Sequence, residues 1–300
     1  MRKTMMICLA LTMVLLVQAQ GSLKVTPKMV KGDKRVYTIQ SIANVTGQGE
    51  VKTTVESEYT VVKVTAEGYE LEVRNTQLAS DLDGSNLMNS IMDLSTNMLN
   101  GFTMRLSFDK DGKIVKVLNY EEVRQKMEAY LDKAVDELIA AMPQVGQLTS
   151  KETLMEQALA AGSEEALIKT MQSTNNVMAL SGKTLTNGME ETVINVQGMK
   201  LKRTYTLDGK TVVSEAITDM NKDDMKSFVI SQIERIAPEQ AGMIKDNIDA
   251  VLSTGLLKMD MSEKATYTLG DDLWVKSLEA TTTNNIMGQS TSVITHITQK

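Results

Sequence analysis

The sequence predicts an α+β protein in which a curved antiparallel sheet of about ten strands packs against about five or six amphipathic helices, in a half-barrel-like arrangement. Beyond residue 34, many apolar residues alternate with polar ones in runs bounded by glycines, which is typical of half-buried antiparallel strands. Asp-Gly pairs at 111–112 and 208–209 separate apolar runs, as they do in hairpins. The helical patterns come in groups rather than one after each strand, so a parallel sheet is not expected.

The N-terminus has the pattern of a Sec-type signal peptide. Arg2 and Lys3 precede an apolar run over 5–17, and Val17 and Ala19 supply the small residues of a cleavage site. The run is too short to cross a bilayer, which takes about 20 residues. We therefore expect residues 1–19 to be a signal peptide cleaved near Ala19, and the mature protein to be periplasmic or secreted.

Strands are predicted on both sides of a central helical stretch. In the first part the apolar phase shifts by one position at Val61 and Val62, which predicts a β-bulge there. The strands predicted before the central helices cover 34–44, 51–64, 69–74, 102–108 and 114–118. Those predicted after them cover 192–196, 199–207, 211–217, 256–269, 273–283 and 289–298.

The clearest helix begins after Asn119, with Glu122 placed as in a capping box, and ends before Pro143. Its apolar stripe consists of Val123, Met127, Leu131, Val135, Leu138 and Met142. Further helices are predicted over 81–101, 152–161 and 164–178, after Asn221, and from Pro238 to Gly255. The predicted core includes Tyr59, Leu71, Val73, Met127, Leu131, Val135, Ile233, Ile248 and Trp274.

We expect residues 20–300 to form one α+β domain. The order strand, Asp-Gly-Lys, strand, Asn, amphipathic helix occurs twice, at 102–120 and at 199–221. The alternative of two pseudo-repeats joined by the helical stretch 143–180 therefore stays open.

Composition argues against most site chemistries. Past residue 19 the chain has no cysteine and a single histidine, His296, whereas zinc and copper sites depend on these residue types. The methionines fall on apolar stripes, where they act as core fillers. The acidic stretch at 81–86 lacks the downstream glutamate of a calcium-binding loop. We predict no metal and no cofactor.

Catalysis and nucleic-acid binding are also not expected. His296 lies close to the chain end and no Gly-x-Ser-x-Gly motif is present, so a serine hydrolase triad is not supported. The aromatic content of 4% is low for a protein that stacks sugar rings. The net charge of −6 argues against nucleic-acid partners. We predict no catalytic residues and no membrane-spanning segment after signal removal.

Methionine-rich apolar surfaces can accept varied partners, and this suggests a binding function. The first hypothesis is a groove between the sheet and Met-rich helices that binds an apolar ligand, a lipid or a lipidated partner. Its predicted ligand-binding residues are Met92, Leu99, Met127, Leu131 and Val135. The alternative is a structural or protein-interaction component of the bacterial cell envelope without a small-molecule pocket.

Two strand sequences carry a resemblance. Residues 69–73 read Tyr-Glu-Leu-Glu-Val, and residues 108–115 read Phe-Asp-Lys-Asp-Gly-Lys-Ile-Val. Both resemble strands of a family of secreted or periplasmic bacterial proteins, and the overall organisation over 30–300 is similar to that of half-barrel periplasmic lipoprotein carriers. The resemblance implies an open sheet with helices on one side and a lipid-related ligand, and it transfers no site residue.

Overall fold

The computed structural model describes residues 21–300 except 46–48, 82–99, 142, 144–145, 147–149, 196–197, 237–247, 250–251, 253–258 and 287–288. It is an α+β fold with one large antiparallel sheet. Four helices lie in the described part: α1 (Tyr120–Ala141), α2 (Lys151–Ala161), α3 (Glu164–Met171) and α4 (Lys222–Ile236). The predicted signal peptide, most of the predicted helix 81–101 and most of the helix from Pro238 fall outside the described residues.

The sheet has eleven strands and is not closed. From one edge to the other the strands are β6 (Ile114–Val117), β5 (Thr103–Asp109), β4 (Gly68–Ser80), β3 (Gly49–Val64), β2 (Lys34–Val45), β13 (Gln289–Gln299), β12 (Val275–Ile286), β11 (Met259–Leu269), β10 (Thr211–Thr218), β9 (Lys200–Asp208) and β8 (Glu190–Ile194). Two short strands, β1 (Leu23–Lys24) and β7 (Thr184–Leu185), pair separately.

Pairing between the first and last long strands joins two meanders into this one sheet. Ile39 of β2 lies opposite Ile297 of β13, so these two strands meet at the middle of the sheet rather than at an edge. The bulge predicted at Val61 is confirmed, because the β3–β4 register shifts between Val61 and Lys63. The two meanders share one buried face, which we call the inner face.

The main core lies on the inner face. Of the predicted core residues, Tyr59, Leu71, Val73, Met127, Leu131, Val135, Ile248 and Trp274 are buried. Ile233 is only half-buried, and this part of the prediction is wrong. On α4 Val229 is buried, and a step of four residues rotates by about 40° around a helix, which moves Ile233 off the buried line.

The predicted helix 164–178 is shorter than expected. α3 ends at Met171, and residues 172–183 continue as turns. Polar side chains compete with the helical hydrogen bonds here: Ser173 Oγ donates to the Thr170 carbonyl at 2.6 Å, and Asn176 Oδ1 accepts from the Met178 N–H at 3.0 Å. We call residues 172–183 the crossing segment, because it packs across the inner face.

The two Asn residues of the sequence repeat act differently. Asn221 forms a reciprocal cap with Asp224 at the start of α4. Asn119 instead bonds to strand β5, accepting from the Arg105 N–H and donating to the Thr103 carbonyl. The single-domain and pseudo-repeat interpretations both stay predictions. None of the helices in the described ranges is both long and apolar enough to cross a membrane.

Candidate functional site

The strand register lines up five side chains on the inner face. Arg203 lies opposite Ala216, Ala216 opposite Glu263, Glu263 opposite Thr282, and Thr282 opposite Val293. Because strand side chains alternate between faces, all five project from the same side of the sheet. One row therefore changes from charged on β9 and β11 to apolar on β13.

The crossing segment is fixed over this face. Its residues Val177, Met178 and Leu180 are buried in the main core. The Gly182 N–H donates to the Val25 carbonyl at 2.9 Å, and the Val25 N–H donates to the Lys183 carbonyl at 2.8 Å. These contacts anchor the segment to the main core and to the residue that follows β1.

A cavity of about 690 Å³ lies between the sheet and the crossing segment. Its sheet side is formed by strands β8, β9, β11, β12 and β13, and the turn between β5 and β6 contributes Lys113. The apolar residues of its lining are Ala179, Val193, Ile194, Met261 and Val293. The charged residues are Lys113, Lys169, Lys183, Arg203 and Glu263.

Arg203 is the centre of a buried polar cluster at this cavity. Its Nη2 donates to Glu263 Oε2 at 2.8 Å and to Thr174 Oγ1 at 2.7 Å. The Thr174 hydroxyl in turn donates to Glu263 Oε2 at 2.5 Å, and the Tyr267 hydroxyl donates to the Thr174 carbonyl. The cluster ties the crossing segment to both strands.

Two buried polar atoms along the cavity have no hydrogen-bond partner among the described residues: Arg203 Nε, a donor, and Asn284 Oδ1, an acceptor. Buried polar groups are nearly always hydrogen-bonded in proteins, or are served by water or a ligand. Arg35 Nε, Tyr37 Oη and Gln299 Oε1 are unpaired as well and belong to residues outside the lining, so the unpaired Arg203 N–H supports a further acceptor in this cavity only together with the charge of the lining.

A second charged cluster, centred on Glu191, lies beside the Arg203 cluster. Glu191 Oε1 accepts from Lys183 Nζ and from the Tyr205 hydroxyl, each at 2.6 Å, and lies 3.9 Å from Arg203 Nη1. Burial opposes ionisation of Glu191, but the hydrogen bonds from Lys183 and Tyr205 outweigh it and lower the pKa of this carboxyl. Burial, together with the hydrogen bond to Glu191, raises the pKa of Tyr205. The network holds charges in place, an arrangement suited to positioning a ligand.

Three of the five residues predicted from sequence to bind a ligand can be placed, and they lie on α1. Met127, Leu131 and Val135 share one buried face of α1, and Met127 packs against Gly162 between α2 and α3. None of the three lines the cavity. Met92 and Leu99 lie outside the described residues, so the assignment of the set to ligand binding stays a prediction.

The sequence analysis did not identify Arg203 and Glu263 as site residues, although both occupy unusual positions in their strands. Arg203 stands at an inward position of β9 between Leu201 and Tyr205, and Glu263 stands between Met261 and Ala265 of β11. A charged residue in the apolar phase of a strand is unusual, because a buried charge is costly unless it is paired. Two such positions of opposite charge would have indicated a buried ion pair.

Comparison with protein-family models found no family that matches this chain, and comparison with curated protein sequences found no significantly similar protein. The interpretation of the cavity therefore depends on its own residues and geometry.

Proposed function

We propose that the protein is a non-catalytic extracytoplasmic binding protein that holds an apolar ligand, or the lipid part of a lipidated partner, against the inner face of an open, half-barrel-like sheet. The cavity of about 690 Å³ under the crossing segment carries this proposal. Its volume lies within the range of about 300–1,000 Å³ that is usual for small-molecule sites.

The apolar end of the cavity can adapt to its occupant. Val193 and Met261 line the cavity and also pack with a small second core of Met199, Leu201 and Ala216. Met220, Met259 and Phe228 pack against the same core. Methionine side chains are unbranched and flexible, so this wall can rearrange around ligands of different shape.

The N-terminal sequence supports an extracytoplasmic location. Residues 1–19 have the pattern of a signal peptide, and the remaining chain contains no cysteine that an oxidising compartment could modify. Fractionation of host cells, with N-terminal sequencing of the recovered protein, tests this part of the proposal. An intact residue 1–19 segment on protein recovered from the cytoplasm would overturn it.

The large exposed apolar side chains belong to several elements of the fold. The large ones among the described residues are spread over β3, β4, β6, β8, β10 and two connecting segments: Val30, Val64, Leu78, Val115, Leu118, Ile194 and Ile217. An interaction surface would concentrate such residues in one patch.

Binding is tested with two fluorescent probes, 11-(dansylamino)undecanoic acid and its methyl ester. We expect saturable binding of at least one probe to the wild-type protein. Val293→Asn should weaken that binding at least fivefold, because it places an amide in the apolar lining. Ile294→Asn is the matched control, since Ile294 is the next residue of β13 and projects from the opposite face. Absence of binding of both probes to folded wild-type protein would overturn the proposal.

A further inference from the structure

We propose that the ligand of this cavity is an amphipathic anion, with an apolar body and a single acidic head group, and that Arg203, Lys113 and Lys183 receive the head group. This inference rests on the proposed function and adds the chemical class of the ligand. It is argued from the charge of the lining, the unpaired donor of Arg203 and the apolar lining residues that lie beside Arg203.

Positive charge exceeds negative charge at the cavity. Its lining contains four cationic side chains and one carboxylate, Glu263. Three of the cations have ion-pair partners: Arg203 with Glu263, Lys183 with Glu191, and Lys169 with Glu165. Lys113 has no ion-pair partner within the described ranges, so the site keeps an excess of positive charge that favours an anion.

The unpaired N–H of Arg203 favours a ligand whose head group is a hydrogen-bond acceptor. The Arg203 side chain is only 10% exposed, and its Nη2 is already committed to Glu263 and Thr174. Its Nε has no acceptor in the described part of the chain. An anionic oxygen that displaced the atoms now covering Nε would satisfy this donor with a charge-assisted hydrogen bond, which is stronger than a bond to a neutral group. A cationic ligand would leave Nε unpaired and would meet Lys113.

The crossing segment and the β5–β6 turn bring further donors to this end of the cavity. Ser181 donates to the Gly112 carbonyl, which fixes the turn that carries Lys113 against the segment that carries Lys183. The position of Gly182 is tight, since a Cβ there would lie 2.9 Å from Lys113 Cα. Lys113 and Lys183 are therefore held on the same side of the cavity.

Apolar lining lies on both sides of Arg203, with Val193 and Ile194 on β8 and with Met261 and Val293 on β11 and β13, and the second side offers the longer path for the apolar body. From Arg203 on β9, the inner-face row continues over Ala216 and Glu263 to Thr282 and Val293 on β13. Four inter-strand steps of about 4.8 Å separate its ends, which leaves room for an extended chain lying across the strands. Met261 borders this path in the neighbouring row. A ligand with its acid at Arg203 that follows this longer path places its apolar part over Met261 and Val293.

The test compares 11-(dansylamino)undecanoic acid with its methyl ester, which has the same body but no charge. We expect the wild-type protein to bind the acid at least tenfold more tightly than the ester at pH 8. Lys113→Glu should weaken binding of the acid at least fivefold and leave binding of the ester unchanged. Lys110→Glu is the matched control, because it makes the same charge change in the same turn, and Lys110 is not part of the lining.

The outcomes separate the two proposals. If neither probe binds, the proposed function fails. If both probes bind with equal affinity and Lys113→Glu changes neither, the cavity binds apolar ligands but the head-group inference is wrong. If Lys110→Glu weakens the acid as much as Lys113→Glu does, long-range charge explains the effect and the assignment of Lys113 is overturned. Circular dichroism spectra of each variant establish that it is folded.

Discussion

Arg203 and Glu263 belong to strands that are not neighbours, yet their side chains meet on the inner face at 2.8 Å. The strand between them contributes Ala216, which lies opposite both residues. Because an alanine side chain is short, the guanidinium and the carboxylate can reach each other over it. The ion pair thus depends on a small residue in β10, and it links β9 and β11 independently of the backbone hydrogen bonds.

Breaking this ion pair should destabilise the protein. The Arg203 and Glu263 side chains are 10% and 9% exposed, so Glu263→Ala leaves a nearly buried cation without its carboxylate. Removing one partner of a buried pair costs about 3–5 kcal/mol, whereas replacing both by apolar residues is often neutral. We expect Glu263→Ala to lower the free energy of unfolding in urea by that amount. The double variant Arg203→Met/Glu263→Leu should recover most of the loss, and failure to recover would show that the pair itself is stabilising.

Leu131→Ala tests whether the buried face of α1 takes part in ligand binding. Leu131 is 1% exposed on α1 and does not line the cavity. Its truncation should lower the free energy of unfolding by about 2–5 kcal/mol, because a buried void is left behind. Binding of the dansyl probes to the folded variant should stay unchanged. A small loss of stability together with altered binding would instead support the original prediction that the α1 residues form the ligand groove.

Protonation of Glu191 should contribute to the loss of protein stability at low pH. The pKa of Glu191 is lowered in the folded protein, so its ionised form is favoured by folding. The resulting stabilisation is fully present above the unfolded-state pKa of about 4.3 and is lost as the pH falls through the lower folded-state pKa. We expect Glu191→Gln to be less stable than wild type at pH 7, with the difference shrinking as the pH falls below about 4. Urea unfolding at several pH values measures this, and a difference that grows in acid would contradict it.

Asn284→Leu tests the second unpaired polar atom. Asn284 Oδ1 is buried at the cavity without a donor in the described structure. An unsatisfied buried polar group costs about 1–3 kcal/mol, so its replacement by an apolar side chain of similar size should not destabilise the protein. The free energy of unfolding of Asn284→Leu should equal or exceed that of wild type. A clear loss of stability would mean that the amide has a partner in solution, such as a bound water.

The elements of this fold were far easier to predict than its site. Alternation locates most of the long strands and the bulge at Val61, because side-chain period is a local property. It missed the short strands β1 and β7 and placed the end of β4 at residue 74 instead of Ser80. The meeting of Thr174, Arg203 and Glu263 depends on strand order and on the path of the crossing segment, which are set by contacts distant in sequence. Residues 172–178 of the crossing segment were predicted as helix from their apolar spacing, which does not reveal the competing hydrogen bonds of Ser173 and Asn176. The predicted groove on α1 followed the strongest apolar stripe, which the structure uses for packing.

Gly182 and Gly188 form a natural pair for testing how tightly the crossing segment is held. Both have a left-handed backbone, with φ of +77° and +74°, so alanine at either position pays a similar conformational cost of about 1–2 kcal/mol. A Cβ at Gly188 meets nothing within 4 Å, whereas a Cβ at Gly182 would lie 2.9 Å from three atoms of Lys113, two of them backbone. Gly182→Ala must therefore push the β5–β6 turn away from the segment.

We expect Gly182→Ala to lower the free energy of unfolding by roughly 1–3 kcal/mol more than Gly188→Ala, which is the usual cost of overpacking a tight contact. Because the displaced turn carries Lys113, Gly182→Ala should also weaken binding of the acidic dansyl probe while Gly188→Ala leaves it unchanged. Urea unfolding and probe titration of the two variants provide both measurements. Equal stability losses and equal probe affinities would mean that the turn and the crossing segment move independently, and Lys113 would then not be held at the cavity by this contact.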